Sequence, residues 1–149
     1  MTETVVRAVE KRDKAAWIRM RTALWPGAEE EHTREIESYF AGSAFQMNAV
    51  LVAEANHRLL GFIELAIRPS AEGSRSERVG YIEGWFVVPE ARRRGVGRAL
   101  VEAAEDWARS RGLIEMASDT ELDNETSART HEALGYEETA RIRCFLKRL

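Results

Sequence analysis

The stretch from Tyr81 to Leu100 constrains the fold more than any other part of the chain. It opens with an apolar, aromatic-rich run ending at Val87-Val88-Pro89, which predicts a strand that stops at the proline. Beyond a short turn, apolar residues recur at helical spacing, at Val96, Leu100, Ala103, Ala104, Trp107 and Ala108. The stretch therefore predicts a strand, a turn and a helix with one buried face.

The turn between this strand and helix is basic and carries two glycines. Gly95 and Gly97 have no Cβ, so the backbone there can approach another group closely and point its N–H groups outward. Because these N–H groups lie at a helix N-terminus, they and the helix dipole favour a phosphate. Fixed positive charge is added by four arginines, Arg92, Arg93, Arg94 and Arg98. The turn is therefore predicted to bind a diphosphate. The plainer interpretation, a capped turn with a solvated basic patch, would explain the charges and only one of the two glycines.

The spacing of the glycines excludes two better-known phosphate-binding loops. A dinucleotide fingerprint needs a third glycine where Leu100 stands, and a Walker loop needs Gly-Lys-Ser/Thr, which is absent. The pattern Arg92-x-x-Gly95-x-Gly97 resembles instead the acyl-CoA-binding motif of the GNAT superfamily of N-acetyltransferases. The resemblance implies acetyl-CoA as the cofactor, with its pyrophosphate on the amides of the turn and its pantetheine arm paired with the preceding strand. The residues implied in cofactor binding are Phe86, Val87, Val88, Arg92, Arg93, Arg94, Gly95, Val96, Gly97, Arg98, Ala99 and Asn124.

Length and composition narrow the class of protein. A chain of 149 residues predicts a single domain over residues 1–149 with a substantial core. The net charge of −3 argues against nucleic acid as the main partner. No apolar run reaches membrane-spanning length, and the N-terminus lacks a signal-peptide core. Since the single Cys144 cannot form an internal disulfide, we expect a cytoplasmic protein with no membrane partner.

The rest of the chain alternates β-prone runs with amphipathic helices. Strands are predicted at residues 5–9, 49–53, 59–67, 81–88, 113–117, 137–139 and 141–146, and helices at residues 14–24, 29–40, 96–111 and 126–134. Asn56-His57 predicts a hairpin turn, and Asp13 is placed to cap the first helix. This order matches a GNAT domain over nearly the whole chain. It implies an α/β fold with a mixed, mostly antiparallel central sheet flanked by helices, and a splay between the central strand and the strand at residues 113–117.

Glu83 is the main candidate for the catalytic base. It is a carboxylate inside an otherwise apolar strand, and the adjacent Gly84 indicates a bulge or a close backbone approach. A glutamate that merely faces solvent is the plainer interpretation, but buried carboxylates rarely occur without a partner or a task. Acetyl transfer needs a neutral amine, so Glu83 is predicted to accept the proton of the substrate ammonium, with Asp119 as the rival for this role.

The segment from Asn124 to Tyr136 resembles the second motif of the GNAT family. A tyrosine usually stands at the position of His131 and donates a proton to the CoA thiolate, so this chain departs from the family pattern. A histidine could donate the proton instead, because imidazole titrates near neutrality, or it could be a packed helix residue at the edge of the cofactor. Asn124 matches the residue that hydrogen-bonds the pantetheine arm, and it is equally placed to cap the last helix.

Four short segments bear on the acceptor amine. They are Leu24-Trp25-Pro26-Gly27, Tyr81-Ile82-Glu83-Gly84, Met116-Ala117-Ser118-Asp119-Thr120 and Leu134-Gly135-Tyr136-Glu137-Glu138-Thr139. Together they resemble one GNAT subgroup, the aminoglycoside 6′-N-acetyltransferases, which are usually dimeric. The resemblance implies an acyltransferase that modifies the 6′-amino group of an aminoglycoside antibiotic, and it implies a homodimer.

The physical chemistry of such a substrate agrees with these segments. A polycationic sugar needs carboxylates around its amines and a flat apolar surface against its rings. The predicted substrate-binding residues are Trp25, Tyr81, Glu83, Ser118, Asp119 and Glu137. Their plainer roles are packing at a helix end for Trp25, a turn cap for Asp119 and a solvated side chain for Glu137.

Two other functions stay open on the sequence. A GNAT enzyme could acetylate a protein N-terminus, a lysine or a polyamine, and a domain of another class could bind CoA as a sensor or interaction module without catalysis. No metal site is predicted, because His32, His57 and His131 lack ligand spacing. Cys144 is predicted in a terminal strand with no neighbouring histidine in sequence, which favours a structural role over a nucleophilic one.

Overall fold

The fold is built on a five-stranded sheet whose strands lie side by side in chain order. The computed structural model describes residues 3–27 and 29–149. The strands are β1 (Val5–Ala8), β2 (Ala49–Ala55), β3 (Arg58–Arg68), β4 (Val79–Val87) and β5 (Met116–Ser118). The helices are α1 (Lys14–Leu24), α2 (Glu29–Phe40), α3 (Val96–Ser110) and α4 (Glu125–Ala133), with short 3-10 turns at Lys11–Asp13 and Pro89–Ala91.

The strand pairing confirms the mixed, mostly antiparallel sheet that the sequence predicts. Strands β1 to β4 pair antiparallel in succession, and β5 pairs parallel to β4 after the crossover through α3. The hairpin between β2 and β3 turns at Asn56 and His57, as predicted. Their φ angles of 52° and 60° are those of a type I′ turn, whose twist matches that of the flanking strands.

Successive residues of β3 face two separate cores. Ile63 and Leu65 pack with the buried side of α3, whereas Phe62 packs with Trp17 of α1 and Ile36 of α2. This alternation follows from the period of two in a strand. The helices therefore cover both faces of the sheet, with α3 on one and the α1–α2 pair on the other.

A bulge interrupts the pairing of β3 with β4. Glu64 pairs with Gly84, but the next residue of β3, Leu65, pairs with Ile82. Glu83 is thus the extra residue on β4, which confirms the irregularity predicted from Gly84. The bulge bends β4 where its only carboxylate stands.

The two strands predicted near the C-terminus are wrong. In residues 137–149 the chain forms no strand, and the side chains of Ile142, Phe145 and Leu146 are 55%, 89% and 80% exposed. Cys144 is likewise exposed and outside any strand. The apolar residues give this segment a tendency to extend, but a strand needs a backbone partner, and the described part of the chain supplies none here.

Two smaller predictions also need correction. Asp13 precedes α1 as expected, but its carboxylate accepts hydrogen bonds from Glu10 N–H at 2.7 Å and from Arg7 at 2.7 and 2.9 Å instead of capping the helix. A guanidinium is a stronger partner than a helix N–H group, and it lowers the pKa of the Asp13 carboxyl. The strand predicted at residues 113–117 is Met116–Ser118, because only these residues lie beside β4.

A buried charged network joins β3 to α1. Glu64 is 2% exposed and accepts hydrogen bonds from Trp17 Nε1 at 2.9 Å and from Arg21 Nε and Nη2 at 2.8 and 3.2 Å. Burial raises the pKa of Glu64, which the Arg21 guanidinium opposes. Arg21 also pairs with Glu35 of α2, so the network ties both helices to the sheet.

We expect Glu64→Ala to lower the free energy of unfolding by about 3 kcal/mol, because it leaves Arg21 buried without its main partner. The value lies at the low end for such a loss, since Glu35 still contacts Arg21. Glu90→Ala is the control, because Glu90 pairs with Arg58 at the exposed surface, and its effect should stay within about 1 kcal/mol. Urea denaturation followed by circular dichroism measures both; equal losses would contradict the role given to the network.

Candidate active site

One edge of β4 is unpaired beyond Ile82. β5 pairs with β4 at Gly80, Tyr81 and Ile82, whereas β3 pairs with it as far as Val87. Within the described residues, β4 therefore has a neighbouring strand on one side only over residues 83–87. The predicted splay between the central strands is confirmed. Backbone groups along such an edge need partners, and an extended ligand can supply them as an added strand does.

The predicted cofactor residues on β4 present backbone rather than side chains to this edge. Phe86 is 8% exposed and packs in the core shared with α1 and α2. Val87 is half-buried, and its carbonyl accepts a hydrogen bond from Arg92 Nε at 2.8 Å. Arg92 thus folds back onto the end of β4, and Val88 continues the chain into the turn.

The turn before α3 has the geometry of an anion-binding site. Arg93 and Gly95 have φ angles of 64° and 82°, and such alternation turns successive N–H groups toward one side. The first backbone bond into the helix runs from Ala99 N–H to the Gly95 carbonyl at 3.0 Å. The N–H groups before Ala99 are therefore the free donors of a helix N-terminus, and Arg94 beside them is exposed. The backbone geometry and the charge of this turn suit an anion, and the binding of a diphosphate there stays a prediction.

Buried residues on both sides hold this turn in place. Ala91 and Val96 are 3% and 4% exposed and anchor the turn in the core under α3. Gly97 lies against the ring of Trp85, since a Cβ at Gly97 would lie 3.2 Å from the Trp85 Cζ2 atom. Arg98 is exposed and reaches the Ala133 carbonyl at the end of α4 at 3.5 Å. The turn is thus set against both the strand and the last helix.

His131 joins α4 to β5 through a serine. Its Nε2 lies 2.7 Å from Ser118 Oγ, and its Nδ1 lies 2.8 Å from the Ser127 carbonyl. A carbonyl can only accept, so Nδ1 carries the proton and Nε2 of the neutral ring accepts the Ser118 O–H. The imidazole also meets Trp85 edge-on, with ring centroids 5.5 Å apart. Asn124 caps α4 by accepting from Ser127 N–H at 3.1 Å, which confirms the alternative role given to it.

On the opposite face of β4, the two candidate bases are both engaged. Glu83 accepts two hydrogen bonds of 2.7 Å from Arg68, one from Nε and one from Nη2. Asp119 accepts the hydroxyl of Tyr81 at 2.6 Å. Burial, and then the Asp119 carboxylate, raise the pKa of the Tyr81 phenol, so Tyr81 stays a proton donor. The Arg68 Cζ atom lies 3.5 Å from the centroid of the Tyr81 ring and links the two pairs.

Trp25 covers the bulge. A Cβ at Gly84 would lie 2.6 Å from Trp25 Cη2, so only glycine lets the indole lie against β4 at this point. Arg21 lies over the same ring, with its Cζ atom 5.1 Å from the centroid. A cleft of about 540 Å³ opens beside the indole. Its lining includes Trp25, Glu83, Glu64, Arg21, Arg34 and Glu35.

The structure brings most of the predicted site residues together, but not all of them. Glu83, Tyr81, Asp119 and Trp25 lie around one face of β4, and Ser118 turns toward His131. Glu137 is exposed, and within the described residues its side chain makes no contact with this group.

Sequence reasoning missed Arg68. It is one of 22 basic residues and stands at the end of a strand, so its identity carries no signal. Only the register of β3 against β4 brings its guanidinium to Glu83.

Most of the chain matches the model of a known protein family. Residues 16–136 match the model of the acetyltransferase (GNAT) family. The chain therefore belongs to the GNAT family of acetyltransferases, as the turn, the splay and the bulged β4 indicate.

Several relatives are similar over nearly the full length. An aminoglycoside N(6′)-acetyltransferase type 1 from Klebsiella aerogenes is 52% identical over 147 residues, with 97% of each chain covered. One from Stenotrophomonas maltophilia is 36% identical, covering 92% of this chain and 88% of the relative. The structure of aminoglycoside N-acetyltransferase AAC(6′)-Iy in complex with CoA superposes with a TM-score of 0.91 at 34% identity, covering 100% and 97% of the two chains. A second structure of AAC(6′)-Iy, with a bisubstrate analogue of CoA and acetylneamine, gives 0.89 at 33% identity, with 99% of each chain covered.

The described part of the chain contains neither a candidate membrane-spanning helix nor a candidate metal-binding group. Over residues 3–27 and 29–149, the helices lack the length and hydropathy of a membrane span. The same residues contain no group of three or more histidine, cysteine or acidic side chains arranged to hold a metal ion.

We expect Gly97→Leu to weaken CoA binding about tenfold or more, because the new side chain collides with Trp85 and pushes the turn out of position. Isothermal titration calorimetry measures the affinity, which should also fall with salt because arginines meet phosphate charge. Asp106→Leu places the same residue on the exposed side of α3 and should leave the affinity unchanged. Unchanged affinity in Gly97→Leu would contradict the site at this turn.

Proposed function

We propose that this protein transfers the acetyl group of acetyl-CoA to the 6′-amino group of an aminoglycoside. The observation that carries the proposal is that the open edge of β4 begins at Glu83, whose carboxylate lines the cleft beside Trp25. The donor slot and the acceptor cleft thus meet at one residue. The full-length likeness to aminoglycoside N(6′)-acetyltransferases supports this acceptor.

The residues present fit acetyl-CoA, which supplies an activated acetyl thioester. Backbone N–H groups between Arg93 and Ala99 hold the diphosphate, and the nearby arginines neutralise its charge. The free edge of β4 from Glu83 to Val87 orients the pantetheine arm by backbone hydrogen bonds. The role of Arg92 is to fix the end of β4 through the Val87 carbonyl, which keeps the slot and the turn in register.

On the acceptor side, carboxylates and an indole suit a polycationic sugar. Glu83 and Asp119 attract ammonium groups, and the Trp25 ring offers a flat surface to the sugar. Tyr81 holds the Asp119 carboxylate through its hydroxyl and so sets its orientation. The buried pair of Glu64 and Arg21 supports the indole from below.

Two protons must move during the reaction. Glu83 accepts one from the substrate ammonium, which frees the lone pair that attacks the thioester. The pair of Ser118 and His131 would supply the other proton to the CoA thiolate that leaves when the thioester bond breaks. When His131 is protonated, its Nε2–H donates to Ser118 and leaves the serine hydroxyl free to donate to the sulfur.

We expect Glu83→Gln to lower kcat about a hundredfold, since the amide keeps the shape of the side chain and loses the base. Release of CoA with kanamycin as acceptor measures the rate. The affinity for CoA should stay unchanged, because the diphosphate turn lies beyond Pro89. Asp106→Asn removes a carboxylate from the exposed side of α3 and should keep full activity.

Further outcomes of this assay separate the roles and the functions. If Asp119→Asn loses more activity than Glu83→Gln, the base is Asp119; near-normal rates in both variants contradict a carboxylate base. His131→Phe should slow turnover, because Ser118 then loses the imidazole that passes a proton to it. Turnover of peptides or polyamines but not kanamycin would assign another acceptor. Tight CoA binding without any turnover would favour a binding domain.

We also propose a homodimer, supported by the C-terminal segment of residues 137–149. This segment exposes apolar side chains, while β5 is only three residues long and sits at the edge of the sheet. Exposed apolar side chains favour burial, and a second copy of the chain can supply it. Pairing of the segment with the sheet edge of a partner supplies the missing backbone contacts.

We expect the double variant Phe145→Asp and Leu146→Asp to be monomeric, because charge on this segment prevents its burial. Sedimentation velocity compares its mass with that of the unchanged chain. Leu122→Asp, which alters another exposed leucine outside the segment, should remain dimeric. A monomeric unchanged chain would contradict the proposal.

The proposal also includes a single acetyltransferase domain over residues 1–149 and a location in the cytoplasm. The family match over residues 16–136 and the one continuous sheet support the single domain. The cytoplasm is where acetyl-CoA is available as a donor. Fractionation of cells that places the protein in another compartment contradicts this location.

A further inference from the structure

Arg68 occupies the position on Glu83 where a cationic substrate would bind. It is the last residue of β3, and its guanidinium donates to both oxygens of Glu83 at 2.7 Å. The same guanidinium lies over the face of Tyr81, with Cζ 3.5 Å from the ring centroid. The side chains of Arg68 and Glu83 are 28% and 18% exposed, so the pair sits where the site opens to solvent.

The contacts of Arg68 are those that recognise an ammonium group. A carboxylate and an aromatic face are the two strongest partners for an organic cation, and Arg68 has both. Asp119 stands beyond Tyr81 and adds negative charge to the same place. Glu83, Tyr81 and Asp119 therefore surround an internal cation with groups that would also suit a cationic substrate.

This pair differs from the structural pair of the core. Arg21 and Glu64 are 7% and 2% exposed, and each has further partners on α1 or α2. Among the described residues, the side-chain hydrogen bonds and ring contact of Arg68 are with Glu83 and Tyr81 of β4, and the exposed residues Pro69 and Ser70 follow it. Its guanidinium can leave Glu83 by rotation of its own side chain, without disturbing a packed core.

We propose that Arg68 is a specificity-determining latch, which holds Glu83 in the free protein and is displaced by the ammonium group of a polycationic substrate. The inference rests on the proposed function. Both oxygens of Glu83 accept hydrogen bonds from Arg68, so the carboxylate has to give up this partner before it can bind the substrate ammonium. A substrate with several positive charges repels Arg68 as it binds near Glu83, Tyr81 and Asp119. A monoamine brings one charge and competes poorly against a bidentate guanidinium.

The test compares two acceptors that carry the same reacting amine. Kanamycin is the polycation, and 6-amino-6-deoxyglucose is a single sugar ring with one amine. In the unchanged protein kcat/KM should strongly favour kanamycin. Arg68→Met removes the charge and keeps a long side chain, so KM for the monoamine should fall about tenfold while kcat does not fall. The preference for the polycation should shrink accordingly.

Control variants separate the latch from a general loss of charge. Arg78→Met makes the same change in the neighbouring exposed loop and should alter neither KM. Arg68→Lys keeps the charge without the two-pronged contact and should give an intermediate KM. In a Glu83→Gln background, Arg68→Met should have no further effect on KM, because the latch acts through that carboxylate. Thermal melting confirms that each variant is folded.

An NMR measurement of binding, which needs no turnover, tests the latch separately from the proposed function. In the free protein the Arg68 Nε–H is hydrogen-bonded to Glu83, so its NMR signal should be protected from exchange and should lose that protection when kanamycin binds. A signal that stays protected at saturation overturns the latch. The latch is also overturned if Arg68→Met raises KM for both acceptors and lowers kcat. That result would make Arg68 a residue that positions Glu83. Failure of the unchanged protein to acetylate kanamycin contradicts the proposed function instead.

Discussion

The half-paired state of β4 is the constraint on which the rest of the structure depends. β3 pairs with the whole strand, whereas β5 leaves it after Ile82. The backbone groups beyond that point need partners, and a cofactor arm can provide them. The bulge at Glu83 falls at the same point and bends the strand there. In the proposed function, the donor slot and the acceptor carboxylate are neighbours because β4 loses one pairing strand at the point where the bulge lies.

Three carboxylates around the site are each already bound by another side chain of the same chain. Glu83 binds Arg68, Asp119 binds Tyr81, and Glu64 binds Arg21. The inner pair is buried and supports the Trp25 surface, so it serves stability. The outer pair of Arg68 and Glu83 is part-exposed, and we propose that it exchanges partners with a substrate. The difference in exposure separates a structural pair from one that can take part in recognition.

The prediction from sequence succeeded where neighbours along the chain decide the structure. Gly95 gives the positive φ of the turn, Asn56 and His57 close the hairpin, and Gly84 marked the bulge. The prediction failed for residues 137–149, because apolar residues favour extension without specifying what they pair with. The role of Asp13 failed for a related reason, since its partner, Arg7, comes from β1.

By itself, the sequence determined the four helices, the strands up to β4, the two-glycine turn and the identity of the carboxylate on β4, because each rests on residues close together in the chain. The tertiary structure alone decided which of these groups meet. Arg68 and Glu83 are joined by the register of two strands across an exposed loop, and Ser118 reaches His131 only because β5 lies beside α4. Such contacts depend on the sum of many packing interactions along the whole sheet, which no local pattern of residues encodes.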